Sequence, residues 1–193
     1  KEILKFNYPR VWPSLLVAAF IGIANACLVL TVALYTNDVI TTNGESVYAV
    51  VAIGFSIVAL SGMFANLFIV DKFTIRPLNL IKWGSSLVLL SYLFLSQASS
   101  ISSLYLALIL YGLGTGLIRP GNISILSLSV KKTEQGAANG WMGTVFPIGH
   151  LITPFTIMPL YMINPNFPYL MISALALLLI IFILLFQKKY FNY

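Results

Sequence analysis

Apolar blocks of about twenty residues recur along this chain, and at 1.5 Å of rise per residue a helix of that length crosses the roughly 30 Å of a bilayer's hydrocarbon core. Six can be drawn: Pro13 to Thr36, Ser46 to Val70, Leu80 to Leu95, Ser102 to Val130, Gly136 to Met162 and Phe167 to Phe186. Such blocks are helical because hydrocarbon offers no partner to backbone N–H and C=O groups, which a helix pairs within one segment. A soluble reading fails on charge: 8% of the residues are charged, against roughly 25% in soluble domains. The expected fold is therefore an all-α membrane protein, with six spans over residues 13–187, a lead-in over 1–12 and a tail over 188–193. The leading KEILKFNYPR, which starts at Lys1, has too short an apolar run for a signal peptide, so the expectation is a piece of something longer.

Positive charge orients the spans, because cytoplasmic loops keep Lys and Arg during insertion. Lys1, Lys5 and Arg10, then Lys72, Arg76 and Lys82, then Lys131 and Lys132, then Lys188 and Lys189 all fall on one side. The opposite loops, Asn37 to Glu45, Gln97 to Ile101 and Ile163 to Asn166, carry no Lys or Arg. Ten of the 11 basic residues thus share the side that bears both termini, which is placed in the cytoplasm of a cell membrane, inner or plasma. The net charge of +6 is a topogenic bias scattered between helices, and nucleic acid is excluded as a partner. Lone Cys27, inside the first span, leaves no disulfide or metal framework, and no cofactor is expected.

Polar residues are spread unevenly over the spans. The fourth and fifth carry Arg119, Asn122, Asn139, Thr144, His150 and Thr153, groups that lipid cannot satisfy. The first adds Asn25 and Thr31, and the second Ser56, Ser61 and Asn66. Ser85, Ser86 and Ser91 of the third span are small hydroxyls able to bond back to their own helix. The sixth has only Tyr169 and Ser173. Spans three and six are therefore expected at the periphery, and one, two, four and five at the centre. A peripheral helix after every two inner ones suggests two three-helix repeats.

Three passages carry a family resemblance. YGLGTGLIRPGNISILSLSVKKTEQGAANG, Tyr111 to Gly140, resembles the tenth helix, cytoplasmic turn and start of the eleventh helix of the drug:proton antiporter branch of the major facilitator superfamily, matching at Gly112, Gly116, Pro120, Ser127, Gln135, Gly136 and Gly140. GWMGTVFPIGHLITPF, Gly140 to Phe155, is similar to that family's glycine-rich eleventh helix, with Thr153 in place of the glycine before Pro154. DKFTIRP, Asp71 to Pro77, resembles the family's loop between helices eight and nine; it keeps Asp71, Lys72, Phe73 and Arg76, with Thr74 for the customary glycine. The resemblance implies the C-terminal six-helix half of a twelve-helix transporter, of the kind that includes tetracycline and multidrug efflux pumps. Spans one and four would line a substrate cavity, spans two and five would slide against the missing N-terminal half, and Asp71 and Arg76 would belong to a gating loop. It also implies export of a small molecule driven by protons, with the proton-carrying carboxylates in the other half.

Among the candidate residues, Gly112, Gly114 and Gly116 recur on nearly one helical face and suit close helix packing. Gly136, Gly140 and Gly143 form a second small-residue stripe. Pro120, Pro147 and Pro154 each remove a backbone donor and loosen a helix. Arg119 lies twelve residues before Lys131, about 18 Å from that end and near the midplane. An uncompensated Arg there costs at least about 2.5–3.5 kcal/mol on insertion scales. No acidic residue of the chain falls inside a span, so its partner is a carboxylate of another bundle, carbonyls freed by Pro120, or an anionic substrate. His150 is the one histidine; it is either a neutral side chain hydrogen-bonded to a neighbouring helix or the proton carrier of this half.

Enzyme readings lack their parts. A single histidine rules out a HExxH cluster, no serine sits in a nucleophile setting, and no GxxxxGK[ST] loop is present. The expected function is a secondary transporter of a small organic molecule with Asn25, Arg119 and Asn122 at the substrate and His150 as coupling candidate. The alternative is a channel or a non-transporting assembly subunit.

Overall fold

The structure is a computed structural model that describes residues 11–42, 44–70 and 75–190, leaving aside the side chains of 186 and 188–190. Six helices follow one another: α1 (Trp12–Asp38), α2 (Val47–Phe64), α3 (Pro77–Leu95), α4 (Ile101–Ser129), α5 (Gln135–Ile163) and α6 (Phe167–Tyr190). All six are long and apolar enough to cross a membrane. Among the described residues the only β pairing is a single bridge between Thr41 and Ser100.

Local chemistry sets the helix ends. Pro13 and Pro77 stand in the first turns of α1 and α3, where the missing N–H costs nothing and the fixed φ suits a helix. That is why α3 begins at Pro77 rather than at Leu80. A reciprocal capping box opens α4: the Ser103 amide donates to Ser100 Oγ and the Ser100 amide to Ser103 Oγ. Glu134, just before α5, accepts from the Lys131 amide at 3.0 Å. The α6 backbone stays helical through Tyr190, past the expected end at Phe186. The last turns of the second span widen instead: Ala65–Val70 continue α2 as a π-helix, a register change no sequence pattern announced.

The packing repeats itself under exchange of the first three helices with the last three. α1 crosses α5 as α4 crosses α2, α3 meets α6, and α3 lies along α4 as α6 lies, less extensively, along α1. This is the expected arrangement of two three-helix units. Glycine allows both equivalent crossings to close. A Cβ at Gly22 of α1 would lie 2.5 Å from the Phe146 carbonyl oxygen of α5, and one at Gly149 of α5 would lie 2.7 Å from the Ile23 nitrogen of α1. In the other crossing, a Cβ at Gly112 of α4 would meet Ser61 Oγ and lie 2.5 Å from the Val58 carbonyl of α2, while one at Gly116 would lie 2.6 Å from the Gly62 carbonyl. Small residues that let backbones touch are the usual currency of helix association in lipid.

Tyrosines fill the centre. Tyr35, Tyr92, Tyr111 and Tyr169 are all buried, with Tyr35 edge-on to Tyr169 and Tyr92 edge-on to Tyr111. Their hydroxyls are satisfied across helices: Tyr35 donates to the Ala98 carbonyl, Tyr92 donates to the Ala24 carbonyl and Tyr169 accepts from Thr31.

Two readings of polarity need correction. Ser91 does not bond back to its own helix; it donates to the Ala107 carbonyl of α4 and ties α3 inward. The helices expected at the centre also divide: 67% of the most apolar stretch of α1 is buried, but only 11% of α2 and 22% of α5. Ser56 and Thr144 are exposed and return their hydroxyls to the Ala52 and Gly140 carbonyls four residues back. Self-bonded hydroxyls need no protein interior, so these residues sit on an open face of the bundle.

Gly112→Ala should destabilise the protein by about 1–3 kcal/mol, because backbone on both sides of the α2–α4 crossing must shift. Leu178→Ala, at an exposed position of α6, should change stability by no more than about 0.5 kcal/mol. Thermal unfolding of the full-length protein in detergent compares the two, and equal melting temperatures would refute the close-packed crossing.

Candidate functional site

Arg119 projects from α4 ten residues before Ser129, about 15 Å from that end of the helix, and its side chain is exposed. Its Cζ lies 5.5 Å from the centroid of the Phe146 ring of α5, a cation–π contact. Two hollows open beside it. The smaller, about 220 Å³, lies between α1, α4 and α5 and is walled by Ala18, Ile21, Ile123, Met142 and Phe146. The larger, about 390 Å³, lies between α1, α2 and α4 and presents Asn25, Asn66, Tyr111, Thr115 and Gly116. Pro120 also borders the larger hollow; lacking an N–H, it leaves the Gly116 carbonyl without its helical donor.

No carboxylate of the described residues comes near. Asp38 closes α1 and accepts from the Tyr161 hydroxyl at 2.8 Å, Glu45 lies in the loop before α2, and Glu134 is engaged before α5. The guanidinium is therefore met by an aromatic face and open space.

Behind it runs a polar chain joining three helices. Asn25 of α1 donates through Nδ2 to the Tyr111 hydroxyl of α4 at 3.4 Å, and its Oδ1 lies 3.2 Å from His150 Nε2 of α5. The other imidazole nitrogen, Nδ1, lies 3.4 Å from the Phe146 carbonyl. Both facing atoms are oxygens that accept, so a neutral ring donates to only one of them and an imidazolium donates to both. The Phe146 ring lies 5.0 Å from the His150 ring and stands next to Arg119, separating the two basic groups.

Asn122, expected at the substrate, is placed differently. It borders the smaller hollow but is 2% exposed, and its Nδ2 donates to the Ser14 carbonyl at 3.0 Å, strapping α4 to α1. Its Oδ1 is buried without a partner among the described residues. Gly136, Gly140 and Gly143 lie on the open face of α5, where an added Cβ meets nothing within 4 Å. Pro154 follows the buried Thr153, whose hydroxyl returns to Gly149. Arg76 is exposed just before α3, and Asp71 lies outside the described residues.

A family model described as the Major Facilitator Superfamily matches residues 14–191. The chain belongs to this superfamily. No curated protein sequence matches it. Solved superfamily structures share its fold at low identity: a peptide transporter, POT, in complex with sulfate (TM-score 0.79, 15% identity) and the POT family transporter PepTSo (TM-score 0.72, 17% identity). Each alignment covers 94% of this chain and 38% of the other, so the chain spans less than two fifths of the length of these transporters. Family and fold are those of a multi-pass membrane protein.

Asn25 and Arg119 share the larger hollow with Asn66, which stood out as a polar residue of the second span, whereas the walls Tyr111 and Thr115, and Phe146 of the smaller hollow, were not singled out. A signal existed for two of them: Tyr111, Thr115, Arg119 and Asn122 follow at intervals of four, four and three, one stripe of a helix. Phe146 looks like ordinary apolar filling, and Asn66 reaches the larger hollow from the π-helical turn.

A double-mutant cycle on Asn25→Ala and His150→Ala, read as unfolding free energy of the full-length protein, should return an interaction of about 0.5–1.5 kcal/mol. Strict additivity would mean the two side chains do not sense each other.

Proposed function

We propose that this chain is the C-terminal six-helix half of a secondary transporter that exports a small organic molecule against inward proton flow by alternating access. Residues 1–12 end the linker from the N-terminal half, 13–187 form the domain, and 188–193 are a cytoplasmic tail. The distribution of Lys and Arg supports both termini lying in the cytoplasm of the inner or plasma membrane. The drug:proton antiporter likeness of Tyr111 to Phe155 supports efflux. The solved relatives are peptide transporters, which supports a small organic solute.

One observation carries the reading. A permanent cation stands at mid-depth of the bundle on an open cleft, with no carboxylate of the described residues to neutralise it. In a rocking two-domain carrier such a cleft is one wall of a midplane site. Arg119 and Asn25 face the solute there, and Asn122 holds the wall by its strap to Ser14. The sparsely buried α2 and α5 form the face that slides on the N-terminal half, with Gly136, Gly140 and Gly143 on it. His150 is the coupling candidate of this half, its ring facing Asn25 Oδ1 of α1 and the Phe146 carbonyl.

In proteoliposomes of the complete protein, Arg119→Ala should abolish saturable, pH-gradient-dependent efflux, and Arg119→Lys should retain part of it. Unchanged flux in the alanine variant would take Arg119 out of the site. An ohmic current in the wild type would replace the carrier with a channel.

A further inference from the structure

The two hollows beside Arg119 differ in chemistry, and the guanidinium is their common wall. The smaller offers hydrocarbon, thioether and an aromatic ring; the one amide at its edge, Asn122, is turned into Ser14. Its 220 Å³ exceeds the roughly 150 Å³ of an apolar cavity that holds benzene. The larger hollow offers the Asn66 amide, the Thr115 hydroxyl and the Gly116 carbonyl released by Pro120. Arg119 stands over the Phe146 ring, its Cζ 5.5 Å from the centroid. Among the described residues no hydrogen bond takes up its N–H groups. Those N–H groups lie in the guanidinium plane, in the fork that suits a carboxylate.

We propose that the site takes an amphipathic organic monoanion. The carboxylate pairs with the edge of Arg119, an apolar group of about phenyl size enters the smaller hollow against Phe146 and Ile123, and an amide or hydroxyl-bearing body lies in the larger hollow towards Asn66 and Thr115. A cationic amphipath finds no acidic group in either hollow and meets Arg119 as a like charge. This inference rests on the transporter reading above for its physiological meaning, but the binding it describes is testable without transport.

Three probes dissect it by calorimetric titration into the full-length protein: N-acetylphenylalanine, its neutral primary amide, and N-acetylalanine. The acid should bind about tenfold or more tightly than the amide, since a charge-assisted pair is lost, and about tenfold or more tightly than N-acetylalanine, since a buried ring is lost. Arg119→Gln should erase the preference for acid over amide. Ile123→Phe, at a half-exposed position that tolerates bulk, should fill the smaller hollow and erase the preference for the phenyl group, while leaving the preference for acid over amide intact. An amide that binds as well as the acid, an N-acetylalanine that binds as well as N-acetylphenylalanine, or no binding of any probe overturns the proposal. The expected binding pattern without flux of the acid in proteoliposomes upholds the ligand class and removes the carrier reading. Arg119-dependent flux of other solutes, with the pattern absent, does the reverse.

Discussion

A guanidinium does not lose its proton inside a protein, and hydrocarbon does not solvate it. Placing Arg119 at mid-depth of α4 therefore dictates what surrounds it. The bundle meets that demand with an aromatic face on one side and open hollows on two others, and spends no carboxylate of the described residues on it. Its neighbours are then held fixed. Asn25 is tied to α4 and α5 through Tyr111 and His150, Asn122 is tied to α1 through Ser14, and the tyrosine core backs both. A cleft that must admit a charged or hydrated group keeps its shape only if its walls do not collapse on it.

The walls owe their positions to backbone contact. Gly22 and Gly149 bring α1 and α5 together at the level of Phe146 and His150, while Gly112 and Gly116 bring α4 and α2 together just above Arg119. These are equivalent crossings of the two three-helix units, so one packing solution, used twice, sets both flanks of the cleft. The cost is a broad face of α2 and α5 that this chain leaves uncovered, dotted with hydroxyls bonded to their own helices. Such a face is compatible with lipid, water or another bundle.

The fold was legible because block length and the scarcity of charge act on every residue of a span at once. The cleft was half legible. Arg119 announced itself by its cost in lipid, and Asn25 by its polarity inside an apolar span. Asn122 carried the same polarity and turned out to be a strap, because an amide satisfies a buried carbonyl as readily as a ligand. Ser91 likewise spans two helices instead of closing on its own, a choice that depends on how closely Ala107 approaches. Phe146 has no sequence signature as a cation's partner. The π-helical turn that bears Asn66 sets its first residue, Ala65, against Gly116 of α4, a long-range contact that no local pattern encodes.

Water at the cleft is the central claim, and chemical accessibility measures it directly. In a Cys27→Ala background of the full-length protein in membranes, cysteines placed at Thr115, in the larger hollow, and at Leu178, on the outer surface of α6, are treated with a charged, hydrophilic thiol reagent. The account predicts rapid labelling at 115, slowed by an organic anion that occupies the hollow, and none at 178. An inert cysteine at 115, as unreactive as the one on α6, would contradict it.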